Sequence, residues 1–194
     1  DSLSTDILNS GSGYSTQVAG NENFFYTATQ SVNKIQKLGP ELNVANGNMH
    51  AGNFFNIINV ENPFTLKSFI TNANGAKIRT VVLRDANGTI LQQKDVNIPD
   101  GISRVELNLS IPVGQGLQIG MATGADVFRS NDGLNFPYNM DGLSIVGTNA
   151  SNPTGFFYYL YDWEVERNDF CYSARKEVKA EINDAGTPIY EDVT

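Results

Sequence analysis

The stretch Phe156-Phe157-Tyr158-Tyr159-Leu160-Tyr161-Asp162-Trp163-Glu164-Val165 constrains the fold more than any other part of the chain. It holds five of the 19 Phe and Tyr residues and the sole Trp. Read as a strand at about 3.3 Å per residue, it is roughly 33 Å long. Alternation puts Phe157, Tyr159, Tyr161, Trp163 and Val165 on one face, apolar throughout. Phe156, Tyr158 and Leu160 lie on the other face, which turns acidic at Asp162, Glu164 and Glu166. A strand apolar on both faces along its first half belongs inside a sheet covered on both sides. Its rings are then either core or, on one face, a platform on which a ligand stacks.

The segments before it repeat a strand pattern. Phe64 to Ala73, Ile78 to Asp85 and Thr89 to Asn97 are apolar or β-branched runs separated by Asn74-Gly75 and Asn87-Gly88. An Asn-Gly pair between two such runs is the strongest short hairpin signal. Val105, Leu107 and Leu109 alternate strictly, after the turn Ile98-Pro99-Asp100-Gly101, and Leu117 to Met121 follows a second turn. Asn53 to Val60 reads as a strand, whereas Val32 to Leu38 fits a strand or a short helical turn. Strands at this spacing with no helices between them predict an all-β fold, a sandwich or barrel with almost no helix.

Three segments follow from this reading. Residues 1–23 are rich in Ser, Gly and Asn and read as a loose segment or edge strand. Residues 24–167 form the β-sandwich domain. Residues 168–194 are charged and read as a linker to a following module or an added edge strand. Within the sandwich, Asp126 to Gly142 reads as a long structured loop, a place where function concentrates. No signal-peptide pattern is visible, and a chain that begins at Asp1 reads as a mature or excised piece.

Charge narrows the partners. The 194 residues carry a formal net charge of −8, which disfavours nucleic acid. No apolar run reaches the roughly 18 residues of a membrane-spanning helix. A single cysteine, Cys171, rules out an internal disulfide.

The sequence offers little for catalysis. The single histidine, His50, sits in a Gly/Asn-rich segment and reads as a surface-loop residue. A nucleophilic triad needs partners near it, and a zinc site needs several His or Cys ligands. Asp162, Glu164 and Glu166 share a strand face at about 6.6–7 Å intervals, a spacing that glycosidases use. Their Asp-x-Glu-x-Glu order does not match the Glu-x-Asp-x-x-Glu of jelly-roll endoglycosidases, so the chain reads as not an enzyme.

Two binding chemistries remain. Calcium wants six to eight oxygens, and Asp126, Asp132 and Asp141 in the long loop are its candidate ligands, although Asn and Asp are also ordinary turn formers. Sugar binding needs ring faces and planar polar groups. Arg129, Asn131, Asp132, Phe136 and Tyr138 supply these from the loop, and Tyr158 and Tyr161 from the aromatic strand.

The segments "TVVLRDANGTILQQKDVNIPDG", "VELNLSIPVGQGLQIG", "VFRSNDGLNFPYNMDGLSIVG" and "YYLYDWEVE" carry a resemblance. Together they resemble jelly-roll β-sandwich modules repeated in large secreted and cell-surface proteins of Bacteroidetes. Those modules are similar to carbohydrate-binding modules and galactose-binding-like domains. The resemblance covers roughly 60% of the chain, identifies a fold more securely than a function, and carries no ligand-residue motif. It implies an antiparallel jelly roll and a non-catalytic accessory module, monomeric, beside neighbouring modules of the same polypeptide. The expected function is binding of a glycan or surface polysaccharide, with a structural or adhesive spacer as the alternative.

Overall fold

Every regular element among the described residues is a β-strand, as the turn spacing predicts. A computed structural model describes residues 22–26, 29–42, 47–172, 176–182 and 188–191, with side-chain surroundings for 34–42 and 47–167. In chain order the strands are β1 (Glu22–Tyr26), β2 (Thr29–Leu38), β3 (Gly47–His50), β4 (Phe55–Val60), β5 (Phe64–Ala73) and β6 (Lys77–Arg84). They continue as β7 (Ile90–Ile98), β8 (Gly101–Ile111), β9 (Gly114–Met121), β10 (Val127–Ser130) and β11 (Tyr138–Met140). The last are β12 (Leu143–Thr148), β13 (Phe157–Tyr158), β14 (Tyr161–Tyr172), β15 (Lys176–Ile182) and β16 (Pro188–Glu191). No helix among the described residues is long and apolar enough to cross a membrane.

The chain divides into two units, Asn33–Asn168 and the combined ends Asp1–Val32 and Asp169–Thr194. The first is an antiparallel β-sandwich. One sheet has the order β11-β12-β4-β9-β6-β7, and the other runs β13-β10-β5-β14-β2, with β8 on β5 and β3 on β10. The pairings nest. The pair β6–β7 is innermost, then β5–β8, then β4–β9, and β2–β14 is outermost. In the second unit β1, β15 and β16 form a separate three-stranded sheet, with Phe24 opposite Val178 and Ala180 opposite Tyr190. Within residues 168–194, expected to be a linker or an added edge strand, β15 pairs with β16 and with β1. Of the segment expected to be loose, residues 1–21 lie outside the described residues.

Alternation builds the core. In β8 Val105, Leu107, Leu109 and Ile111 are buried and the residues between them are exposed. Ile58 and Val60 of β4, Val81 and Leu83 of β6, and Leu117 and Ile119 of β9 join the same core. The edge strand β7 buries only Val96 and Ile98. Its polar side chains blunt the sheet edge, as edge strands require. Gln92 Nε2 donates to the Ser110 carbonyl at 3.0 Å, and Lys94 Nζ to that of Asn108 at 3.4 Å.

The turn at Asn87-Gly88 is longer than a two-residue hairpin. Asp85 N–H donates to Thr89 O at 2.9 Å, and Gly88 N–H to Asp85 O at 3.1 Å. Gly88 alone in the loop has positive φ, +88°. This is the three-residue loop, a turn closed by a left-handed glycine, rather than the type I′ turn that needs two positive φ values. Asp85 Oδ1 holds it by accepting from Asn87 N and Thr89 N.

The aromatic run is not one strand. Leu160 N–H donates to the Tyr158 carbonyl at 2.8 Å, closing a three-residue γ-turn on Tyr159, whose φ is +68°. β13 ends there and β14 begins at Tyr161. From Tyr161 the expected alternation holds: Tyr161, Trp163 and Val165 are fully buried, and Asp162, Glu164 and Glu166 face outward. The segment 126–142, expected to be a loop, contains β10 and β11. β10 forms because it lies between β3 and β13 and meets β5 at Val127 opposite Ala73.

Arg79 anchors the approach to β10. Its guanidinium is buried and donates to the carbonyls of Ala125, Gly75 and Ile98, the last two at 2.8 and 3.2 Å. Burial lowers its pKa, and Asp126 and Asp100 pull the other way.

Candidate functional site

Directly opposed residues on neighbouring strands share a face. Across β3, β10 and β13, His50 faces Val127, Asn48 faces Arg129, and Arg129 also faces Tyr158. The polar and aromatic groups on this strip therefore converge on Arg129. Its Nε donates to Asn131 Oδ1 at 2.9 Å, and one Nη donates to the Tyr158 hydroxyl at 3.0 Å. The guanidinium carbon lies 3.8 Å from the centroid of the Phe156 ring, a close cation–π contact. Asn131 Nδ2 donates in turn to Asn48 Oδ1.

Rings support this arrangement from below. Tyr158 stacks on Phe54 with centroids 4.5 Å apart and planes 5° from parallel. His50 stands edge-on to both, at 5.4 and 6.0 Å. Desolvation lowers the His50 pKa below the ordinary 6.5, and the Arg129 charge lowers it further. The two residues that follow β10 open onto a cleft of about 320 Å³, lined by Asn131, Asp132, Gly133, Leu134, Asn135, Thr154 and Gly155. That volume is at the small end of ligand sites. Asp132 Oδ1 accepts from Gly133 N at 2.7 Å.

The far side of the loop is packed rather than open. Phe136 and Tyr138, joined through the cis Phe136–Pro137 bond, are half-buried against Phe157, each with its ring centroid 5.8 Å away. The Tyr138 hydroxyl accepts from Asn135 N at 3.0 Å. A second polar cleft, about 230 Å³, lies by Asn59, Glu61, Asn139 and Ser144.

The structure bonds Arg129 to Asn131 and lines the cleft with Asn131 and Asp132. It corrects two ring assignments. Tyr158 and Tyr161 are fully buried and present no face to a sugar. Tyr161 instead donates to the carbonyls of Phe128 and Phe157, at 3.2 and 3.1 Å. Burial drives the phenol pKa of both Tyr159 and Tyr161 upward. His50 is not a loop residue but half-buried at the end of β3. With Asn48, Phe54 and Phe156, it belongs to the site although sequence reasoning passed over it. The polar composition of residues 47–50 concealed a strand, and Phe54 and Phe156 read as members of longer apolar runs.

The three aspartates expected as calcium ligands are not grouped. Asp126 is ion-paired with Lys77 Nζ at 2.5 Å, Asp132 lines the cleft, and Asp141 follows β11. Among the described residues no three His, Cys, Asp or Glu side chains form a metal-binding group. The acidic face of β14 is neutralised in place. Asp162 pairs with Lys37 at 2.8 Å and with Arg104, Glu166 pairs with Lys67 at 3.4 Å, and Glu164 pairs with Arg104 at 3.5 Å and accepts from Ser68 Oγ at 2.6 Å.

Comparison with known proteins adds little. No family model matches the chain, and no curated protein does. Among solved structures, a chain from the structure of the infectious bursal disease virus Gt strain is similar at 14% identity, with a TM-score of 0.24. That alignment covers 97% of this chain, and this chain spans half the length of the viral one.

Proposed function

We propose that this chain is a non-catalytic, glycan-binding accessory module of a secreted or cell-surface multidomain protein, with its sandwich wound as a jelly roll. The nested pairing from β6–β7 outward to β2–β14 supports the winding. The observation that carries the binding reading is the fixed Arg129 guanidinium, set over Phe156 beside a cleft of amide and backbone groups. Planar hydrogen-bonding groups suit paired sugar hydroxyls, and the half-buried Phe156 ring supplies an apolar edge. A glycan array probed with the whole chain tests it. The expected result is a restricted set of saccharides whose binding is lost in Phe156→Ala while the circular dichroism of the sandwich is retained. An array with no binder overturns it.

A structural or adhesive spacer is the second reading, and one observation favours it. Among residues with described side chains, no Phe, Tyr or Trp is fully exposed. Phe54, Phe128, Phe136, Tyr138 and Phe156 are half-buried and the others are buried. A blank array together with measurable binding to a neighbouring module would select this reading.

A further inference from the structure

We infer that the ligand is an acidic saccharide whose carboxylate or sulfate group is held at Arg129, the residue bonded to Asn131 on the cleft wall; this rests on the glycan-binding reading above. Arg129 is half-buried, and no salt bridge joins it to a carboxylate among the described residues. The contrast with several other cations of the sandwich is informative, although Arg84, over the Phe55 ring and bonded to Asn53, shares the lack of a carboxylate. Lys37, Lys67, Lys77 and Arg104 each hold a carboxylate, and Arg79 is wrapped in carbonyls. Arg129 has a phenol, an amide and a ring face. All three orient the guanidinium, and none neutralises it.

A planar cation held in one orientation and partly stripped of water matches an oxyanion best, because charge-assisted bonds are shorter and about twice as strong as neutral ones. Asp132 is the single acid among the residues lining the cleft, and its Oδ1 is turned to the Gly133 amide. The chain as a whole carries −8, so it repels polyanions in general. Attraction of an acidic glycan therefore needs a local cause.

Titration calorimetry of the whole chain with polygalacturonate and with its methyl ester separates charge from sugar shape. Dextran sulfate against dextran does the same for sulfate. The expected result is at least tenfold tighter binding of one acid form than of its neutral counterpart, weakening as salt rises. Arg129→Gln should abolish the preference and Arg129→Lys should retain part of it. Which acid form binds tells carboxylate from sulfate. Equal affinity for acid and ester, or an undiminished preference in Arg129→Gln, overturns the inference. If Arg129→Gln fails to fold, the acid-against-ester comparison on the natural chain still decides. Binding of neutral saccharides alone sinks the acidic ligand and leaves the glycan module standing. Binding of none, on the array as well, sinks both.

Discussion

The buried side-chain amide of Asn56 hydrogen-bonds both backbone polar groups of Tyr158: Nδ2 donates to the carbonyl at 2.9 Å and Oδ1 accepts the N–H at 3.2 Å. Asn56 belongs to β4 in one sheet and Tyr158 to β13 in the other. An amide thus substitutes for a neighbouring strand and ties the two sheets together beneath Arg129.

Asn56→Ala should leave the buried Tyr158 N–H without this partner, at a cost of about 1–3 kcal/mol, while the Tyr158 carbonyl keeps the Leu160 N–H. A loss of about 1–3 kcal/mol in urea denaturation is expected, along with weaker glycan binding as Tyr158 loosens. A loss below about 0.5 kcal/mol, the level of an ordinary surface change, would show that water replaces the amide freely.

Trp163 is fully buried and its indole donates to the Leu160 carbonyl at 2.7 Å. Trp163→Ala should cost about 3–5 kcal/mol, the range for deleting a large core aromatic. Trp163→Phe keeps most of the volume and should cost less. Calorimetric melting of both variants distinguishes packing from the hydrogen bond.

The pKa of His50 in the folded chain lies below its unfolded value of 6.5. Below about pH 6.5 the unfolded state binds a proton that the folded state does not, so stability falls as pH drops through that point. Above it the residue contributes no slope. His50→Gln should flatten the melting temperature between pH 5 and 7, and an identical profile in the variant would remove His50 as the source.

Tyr138→Ala should lower stability by about 1–2 kcal/mol, within the usual range for point mutants. The ring packs on Phe157, and its hydroxyl accepts from Asn135 N. Its effect on binding should be smaller than that of Phe156→Ala. A melting temperature unchanged in Tyr138→Ala would show that the ring is a ligand platform after all.

Excess chelator should leave the melting temperature where it is. Asp126 already has Lys77 as its counter-ion, and the three candidate aspartates do not meet in a carboxylate group. A drop on chelation would reveal a site built mainly from backbone and amide oxygens, because a ligand of the native state stabilises it by mass action.

What could be read in advance was local. The β6–β7 hairpin was legible because Val81 to Leu83 and Ile90 to Leu91 flank turn residues within one short window. Trp163 was legible as core because its face alternates cleanly. The break at Tyr159 was not, since nothing about a tyrosine announces a φ of +68°; surrounding structure imposes it. Nor were β3 and β10, whose strand state comes from pairing with each other across the sequence rather than from propensity. Arg129 was found by residue type. Its ring partner Phe156 and its neighbour His50 needed the register.

The nested pairing also sets an order of assembly. Arg84 and Ile90, six positions apart by number (90 − 84), close the innermost hairpin, whereas the outermost pair brings Lys37 to Asp162, 125 positions on. Loop-closure entropy grows with separation, and folds dominated by distant contacts form over milliseconds to seconds. During synthesis β14 is the last sandwich strand to emerge. Until it does, β2 and β5 lack their shared neighbour, and a growing chain displays unpaired edges to others of its kind. The aromatic segment is thus the latch of the domain in time as well as in space.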